Sequence, residues 1–287
     1  MSEEECEGFL KSEEFIRTDN GLQARFSYHP TLKHSERFAD LTGDKNQIHR
    51  ELYDGETVVP AFLQNVMAIL ASKRAMSEYG INPSDFPISS NKISLDNFVI
   101  SGLEYILLLT LKEKPLGIDV EITDLKGKKV FGMNRGFEEV RTLEDYQGVI
   151  HSESFEIDGQ TLSEFSRIIG AVSSESNLYV IASSSSVIYR AYDAGKLPKI
   201  EKGIVPIYSG QEVYLNSTKS IHGVVDVLLS LSELPKGLLK RGDKLKTMIS
   251  TWYKGNLVNR IASEVTFQNE KLPELAIKRK LRDKKII

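Results

Sequence analysis

The chain repeats itself, and that repeat restricts what it can fold into more than any other feature. The segments "SGLEYILLLTLKE" (101–113) and "HGVVDVLLSLSEL" (222–234) each place a Gly ahead of an apolar run, at an offset of 121 residues. In the same order, "LDNFVI" (95–100) faces "LNSTKSI" (215–221), and "DLKGKKV" (124–130) faces "WYKGNLV" (252–258) at an offset of 128. A segment of helical length, "VVPAFLQNVMAILASKRAM" (58–76), carries Phe62, Val66, Ile69 and Leu70 at helical spacing. It matches "YVIASSSSVIYRAYDAGKL" (179–197), again at an offset of 121. Self-similarity at a near-constant period is the mark of a duplicated structural unit.

Each copy reads in one order: an irregular polar segment, one substantial helix, then a run of strands. In the first copy the strands fall near 92–100, 103–113, 116–125 and 128–140, with Lys126-Gly127 at a hairpin turn. Helix first and strands after is an α+β order, without the alternation that parallel sheets require. The sequence therefore predicts two tandem domains, 1–148 and 149–287, each an antiparallel β-sheet packed on one central helix. The join is expected in "YQGVIHSESFEIDGQ" (146–160), where Gly, Ser and charge accumulate and periodicity is lost.

At 40% hydrophobic and 27% charged residues, both copies can bury a core. The net charge of −3 points to neither a nucleic-acid nor a membrane partner. Cys6 is the one cysteine; it offers no internal disulfide and no thiolate cluster for a metal. The N-terminus lacks the basic-then-apolar order of a secretion signal, and the apolar runs are too short to cross a bilayer. The expectation is a cytoplasmic protein that uses no metal.

The stretch "FADLTGDKNQIHRE" (38–51) carries the strongest chemical signal. It resembles the signature of the MaoC-like (R)-specific enoyl-CoA hydratases: a small residue, then Gly-Asp-x-Asn-Pro-aliphatic-His. Thr42, Gly43, Asp44, Asn46, Ile48 and His49 match; Gln47 stands where the family usually has Pro. The resemblance implies the hotdog fold, a sheet wrapped around one long helix, here as a tandem (double) hotdog. It also implies addition of water to a 2-enoyl thioester, or the reverse dehydration. Asp44 and His49 would hold the catalytic water, supported by Gly43 and Asn46. A histidine suits a base at neutral pH, and His49 is the better candidate of the pair. Five residues separate the two, which a regular helix would turn to different faces, so a loop must bring them together. Gly43 permits a tight turn there, and Asn46 can bond local backbone.

The thioester oxygen gains charge during the reaction and needs donors already in place, which a helix N-terminus supplies. Family members usually have a His-Gly step at this point; the chain has Pro60-Ala61. Pro60 suits the first helical position, the N–H of Ala61 is kept as the oxyanion donor, and Val59 has no side-chain oxygen to cap the helix.

Aligning Phe38 with Phe165 puts Gly170 opposite Gly43, Ala171 opposite Asp44 and Ser176 opposite His49, so the second copy lacks both proton carriers. The drop in offset from 127 to 121 implies about six fewer residues between motif and helix. Ser183 to Ser186 on the second helix fit either a roomier acyl cavity or close packing. The other histidines, His29, His34, His151 and His222, read as surface or structural residues. The basic tail "IKRKLRDKKII" (277–287) reads as a solvated terminus, or as a contact for coenzyme A phosphates or an anionic partner.

The leading reading is a hydratase or dehydratase acting on fatty acyl thioesters of coenzyme A or acyl carrier protein, needing no cofactor beyond that carrier. Its alternative is a catalytically silent thioester-binding or scaffold protein, given Gln47 and Ala61. A hotdog thioesterase would want a carboxylate on the central helix, and none lies between Phe62 and Lys73. Tandem halves already form the pair that single hotdogs build from two chains, and a homodimer of the whole remains compatible.

Overall fold

A computed structural model describes residues 10–137, 148–171, 175–216, 220–233 and 235–284. Cys6 and the extreme C-terminus lie outside them, and the expected 148/149 join adjoins 138–147, which also lie outside.

The first half opens not with an irregular segment but with a hairpin, β1 (Leu10–Thr18) and β2 (Gly21–Tyr28), followed by α1 (Leu32–Thr42). Strand β2 alternates buried Leu22, Ala24, Phe26 and Tyr28 with outward-facing residues, a half-buried pattern diluted in the sequence by neighbouring charge. The long helix α2 (Ala61–Tyr79) comes next, then β3 (Ile88–Leu95), β4 (Tyr105–Lys112), β5 (Gly117–Asp124) and β6 (Lys129–Gly136). Half two repeats the order as β7 (Val149–Ile157), α3 (Gly159–Ile169), α4 (Ser176–Ser185), α5 (Val187–Asp193), β8 (Ile204–Asn216), β9 (Gly223–Leu231), β10 (Lys244–Tyr253) and β11 (Asn256–Asn269). A last helix, α6 (Lys271–Lys284), follows the second repeat.

All strand pairings are antiparallel, in the order β1-β2-β4-β5-β6-β3-β8-β11-β10-β9-β7. Half two runs through its strands as a mirror of half one, and β3 pairs with β8 from Ile88↔Asn216 to Ser94↔Gly210. One continuous sheet results. It wraps α2 and α4, which pack on each other. Helix α2 is buried on nearly all sides, from Phe62 through Met76, as a helix enclosed by a sheet must be. The α+β expectation and the tandem arrangement of a sheet around a helix both hold.

The repeat is exact at its turns. Gly127 and Gly255 sit in the two hairpin turns at an offset of 128, with φ of 78° and 77°. Helices α1 and α3 end on Gly43 and Gly170, both left-handed, at φ of 73° and 64°. Phe38 and Phe165, aligned in the two copies, meet with ring centroids 6.0 Å apart.

At the central helices the expected offset is wrong. Eighteen residues, 43–60, separate α1 from α2, whereas only six, 170–175, separate α3 from α4. Half two has therefore lost twelve residues, not six, and Ser176 begins α4 where Ala61 begins α2. It is not the counterpart of His49. The serine run accounts for the false match: Ser184 Oγ donates to Val180 O at 2.6 Å and Ser185 Oγ to Ala182 O at 2.6 Å. Such back-bonding bends helices, and here the helix breaks at Ser186. Thr251 Oγ1 also donates to Ser184 Oγ at 2.7 Å, so the run packs closely on β10.

Candidate active site

The residues of the signature fold as a chain of local turns. Helix α1 ends where the Gly43 N–H reaches Ala39 O and Asp40 O, and the Asp44 N–H bonds Ala39 O at 2.8 Å. A left-handed residue closes a helix in this way at least cost when it is Gly. Asp44 Oδ1 then accepts the N–H of Asn46 at 2.9 Å, and Asn46 Oδ1 accepts that of Ile48 at 3.3 Å, capping a 3₁₀ turn over Gln47–His49. Two Asx turns in succession fold the five-residue spacing back on itself. His49 Nε2 comes to lie 3.6 Å from Asp44 Oδ2, with the His and Asp side chains 8% and 15% exposed.

His49 Nδ1 donates to the carbonyl of Val58 at 2.8 Å. A carbonyl only accepts, so this bond places the proton on Nδ1 and leaves Nε2 basic in the neutral ring. Val58 is itself fixed, since its N–H bonds Ile48 O at 3.1 Å. Gln47 is exposed, and the turn around it is closed by His49 N–H to Asn46 O at 3.0 Å, with no proline needed.

Half two braces this loop although it has lost its own. Asn46 Nδ2 donates to Pro206 O at 3.3 Å, Tyr179 Oη to Leu41 O at 3.3 Å, and Lys45 pairs with Asp193. The Tyr189 side chain lies beside that of Asn46. Tyr189 and Tyr208 are half-buried beside Asp44; desolvation first, and the Asp44 charge second, push both phenols up and keep them neutral. Arg190 pairs with Glu153 and reaches the Gly43 turn, where an added Cβ would stand 3.0 Å from its Nη1.

Helix α2 begins at Ala61, with Pro60 at the cap position rather than inside the helix, and this cap residue makes no side-chain hydrogen bond to the first turn. Ala61, Gln64 and His49 line one cavity of about 800 Å³ together with Asn46, Val58 and Tyr208. Asp44 is not among the residues lining it. Gln64 is a residue sequence reasoning missed. Its Nε2 donates to Val59 O at 3.2 Å, while its buried Oε1 has no partner among the described residues. A Gln in the first turn, ahead of the apolar run 66–71, was the available signal. A smaller apolar cavity of about 280 Å³, lined mainly by half two through Ile188, Leu239, Leu245 and Phe267, shares Asn46, Pro206 and Tyr208 with the first.

No protein-family model matches the chain, and no curated protein matches it by sequence. Similarity to solved structures is extensive. A MaoC-like dehydratase aligns over 88% of this chain and 97% of its own, at a TM-score of 0.59 and 10% identity. A Mycobacterium tuberculosis protein described as a double hotdog aligns over 93% and 100%, at 0.58 and 9%. An oleoyl thioesterase from Lactobacillus plantarum aligns over 86% and 96%, at 0.53 and 7%. The chain thus has the double hotdog fold. Proteins described as a dehydratase and as a thioesterase share that fold, so the fold by itself assigns no reaction.

Proposed function

We propose that this chain is a hydratase or dehydratase of 2-enoyl and 3-hydroxyacyl thioesters, working through Asp44 and His49. The observation that carries this reading is the pair itself, 3.6 Å apart, with His49 Nε2 left basic by its Nδ1 bond and its ring in the wall of a cavity that also holds the uncapped start of α2. At 3.6 Å the pair is too far apart for a direct hydrogen bond, and one water can bond both.

In the hydration direction, water gives a proton to His49 Nε2 as its oxygen bonds the β-carbon. The C=C electrons move to the α-carbon and the thioester oxygen. Asp44 stabilises the imidazolium, the Ala61 N–H stabilises the oxyanion, and a proton returned from the pair to the α-carbon completes addition of H₂O. Dehydration is the reverse. Thioesterase chemistry has less support, because no carboxylate lies on α2 between Phe62 and Lys73.

The test is loss of conjugated enoyl absorbance with trans-2-enoyl-CoA and enoyl carrier-protein substrates of several chain lengths. Turnover by the wild type that is abolished in Asp44→Asn and His49→Ala is expected. A wild type inert on every thioester would overturn the proposal and leave a binding protein.

A further inference from the structure

The His49 cavity gathers cations. Besides His49, the cavity is lined by Lys126 and Lys128 from the β5–β6 turn and by Arg279 and Lys280 from α6, all but Lys280 solvent-exposed. In a chain of net charge −3, four cations around one opening are a local departure from the average. Among the described residues, none of Lys126, Lys128 and Arg279 has an ion-pair partner, whereas most surface lysines bordering the neighbouring strands do. The carboxylates at the same mouth are engaged elsewhere. Asp124 Oδ1 accepts the backbone N–H groups of Lys126 at 3.0 Å and Lys128 at 2.9 Å, and Asp96 faces Lys129 at 4.0 Å. Asp124 thereby sets the turn that presents both lysines.

Helix α6 is not a frayed tail. Ile277 is fully buried in a cluster with Ile48, Val58 and Ile100, so the helix that follows half two packs on the catalytic loop of half one. Lys280 Nζ donates to Phe98 O at 2.8 Å and lies 3.5 Å from Tyr105 Oη, which leaves at least one of its three N–H bonds for the cavity.

We propose that Lys126, Lys128, Arg279 and Lys280 form a phosphate-binding site at the mouth of the His49 cavity, which takes the phosphate of the pantetheine arm that delivers the thioester. This rests on the thioester reading of the cavity and extends it: α6 sits at the entrance as a clamp on the carrier. Coenzyme A and the prosthetic arm of a carrier protein share this phosphorylated pantetheine, and a fan of separate cations suits either. Guanidinium and ammonium groups are the side chains that recognise phosphate oxygens.

The experiment is calorimetric titration of the full chain with coenzyme A, 3′-dephospho-coenzyme A, 4′-phosphopantetheine and pantetheine, each at two salt concentrations. The same titrations are run on Lys126→Gln/Lys128→Gln and on Arg279→Gln, with melting temperatures to confirm folding. Phosphate-bearing ligands are expected to bind the wild type at least tenfold more tightly than pantetheine, with a salt-dependent margin that each variant lowers several-fold. If 4′-phosphopantetheine carries the whole margin, the source is one phosphate, as a carrier protein offers; a further gain with coenzyme A assigns the nucleotide phosphates as well. Equal binding of pantetheine and coenzyme A, no binding of either, or variants that bind like wild type would overturn the site. Variant-sensitive phosphate binding in a chain that turns over no thioester would keep the site and remove the hydratase. Turnover with phosphate-indifferent binding would do the reverse.

Discussion

His49 and Asp44 differ in what their loss should do. His49 lines the cavity and is held by the Val58 carbonyl, whereas Asp44 is not among the residues lining it, so in the proposed mechanism His49 is the more direct proton carrier. General acid–base groups contribute roughly 100- to 10,000-fold. His49→Ala is therefore expected to fall at the upper end of that range in kcat, and Asp44→Asn somewhat less, with KM changed little in either. A larger effect on KM than on kcat would mean that the pair binds ligand without moving protons. Lys280 makes a second residue-scale prediction, in pH. Burial, reinforced by Lys128 and opposed by Asp124, lowers its ammonium to about 8. Tyr105, its other titratable neighbour, is pushed high by burial and stays neutral. The unfolded chain keeps the Lys280 proton up to about 10.4. Between those values the folded state holds fewer protons, so the penalty for burying this charge is relieved as pH rises above about 8. Phosphate favours the charged form, so coenzyme A affinity should bend downward near that pH. In Lys280→Gln it should be weaker and without the bend.

At the scale of elements, the loop is where sequence and structure agree best and where their limits show. Gly43, Asp44, Asn46 and His49 were legible because each uses a short-range rule: a left-handed helix end, two Asx turns and a titratable ring. The partners that brace them were not legible, since Pro206, Tyr189, Tyr208 and the Val58 carbonyl reach the loop only through tertiary packing. Strands β1 and β2 were missed because charged residues blur their alternation, while the offset of the central helix was misjudged because a serine run mimicked a match. Asn46 links both kinds of contact. Asn46→Ala removes the cap on the 3₁₀ turn and the bond to Pro206, and loss of a cap costs about 0.5–2 kcal/mol. The expected result is a small drop in melting temperature with a disproportionate loss of kcat, because the His49 ring loses its frame. Equal loss of stability and activity would mean that the loop is rigid without it.

Among the described residues the molecule has two central helices, α2 and α4, but one loop of the signature type, and that asymmetry is a prediction about stoichiometry. Strands β3 and β8 join the halves into one sheet, and one apolar cluster runs from Leu22 in half one to Ile261 in half two. Separating the halves would leave two unpaired sheet edges, so the chain should unfold in a single transition. Phe38 sits where the repeats meet, fully buried against Phe165, and a core Phe→Ala change costs about 3–5 kcal/mol. Phe38→Ala should lower the urea midpoint of the whole transition rather than split it in two. Half two kept the sheet, the helix and the braces, but its loop is twelve residues shorter and has no counterpart of the Asx turns or of the Asp44–His49 pair. With no second loop to form a second pair, a thioester analogue that cannot react should saturate at one molecule per chain by calorimetry. Two sites per chain would show that half two binds the same ligand without a signature at all, and the assignment of the half-one loop as the place of binding would then fail.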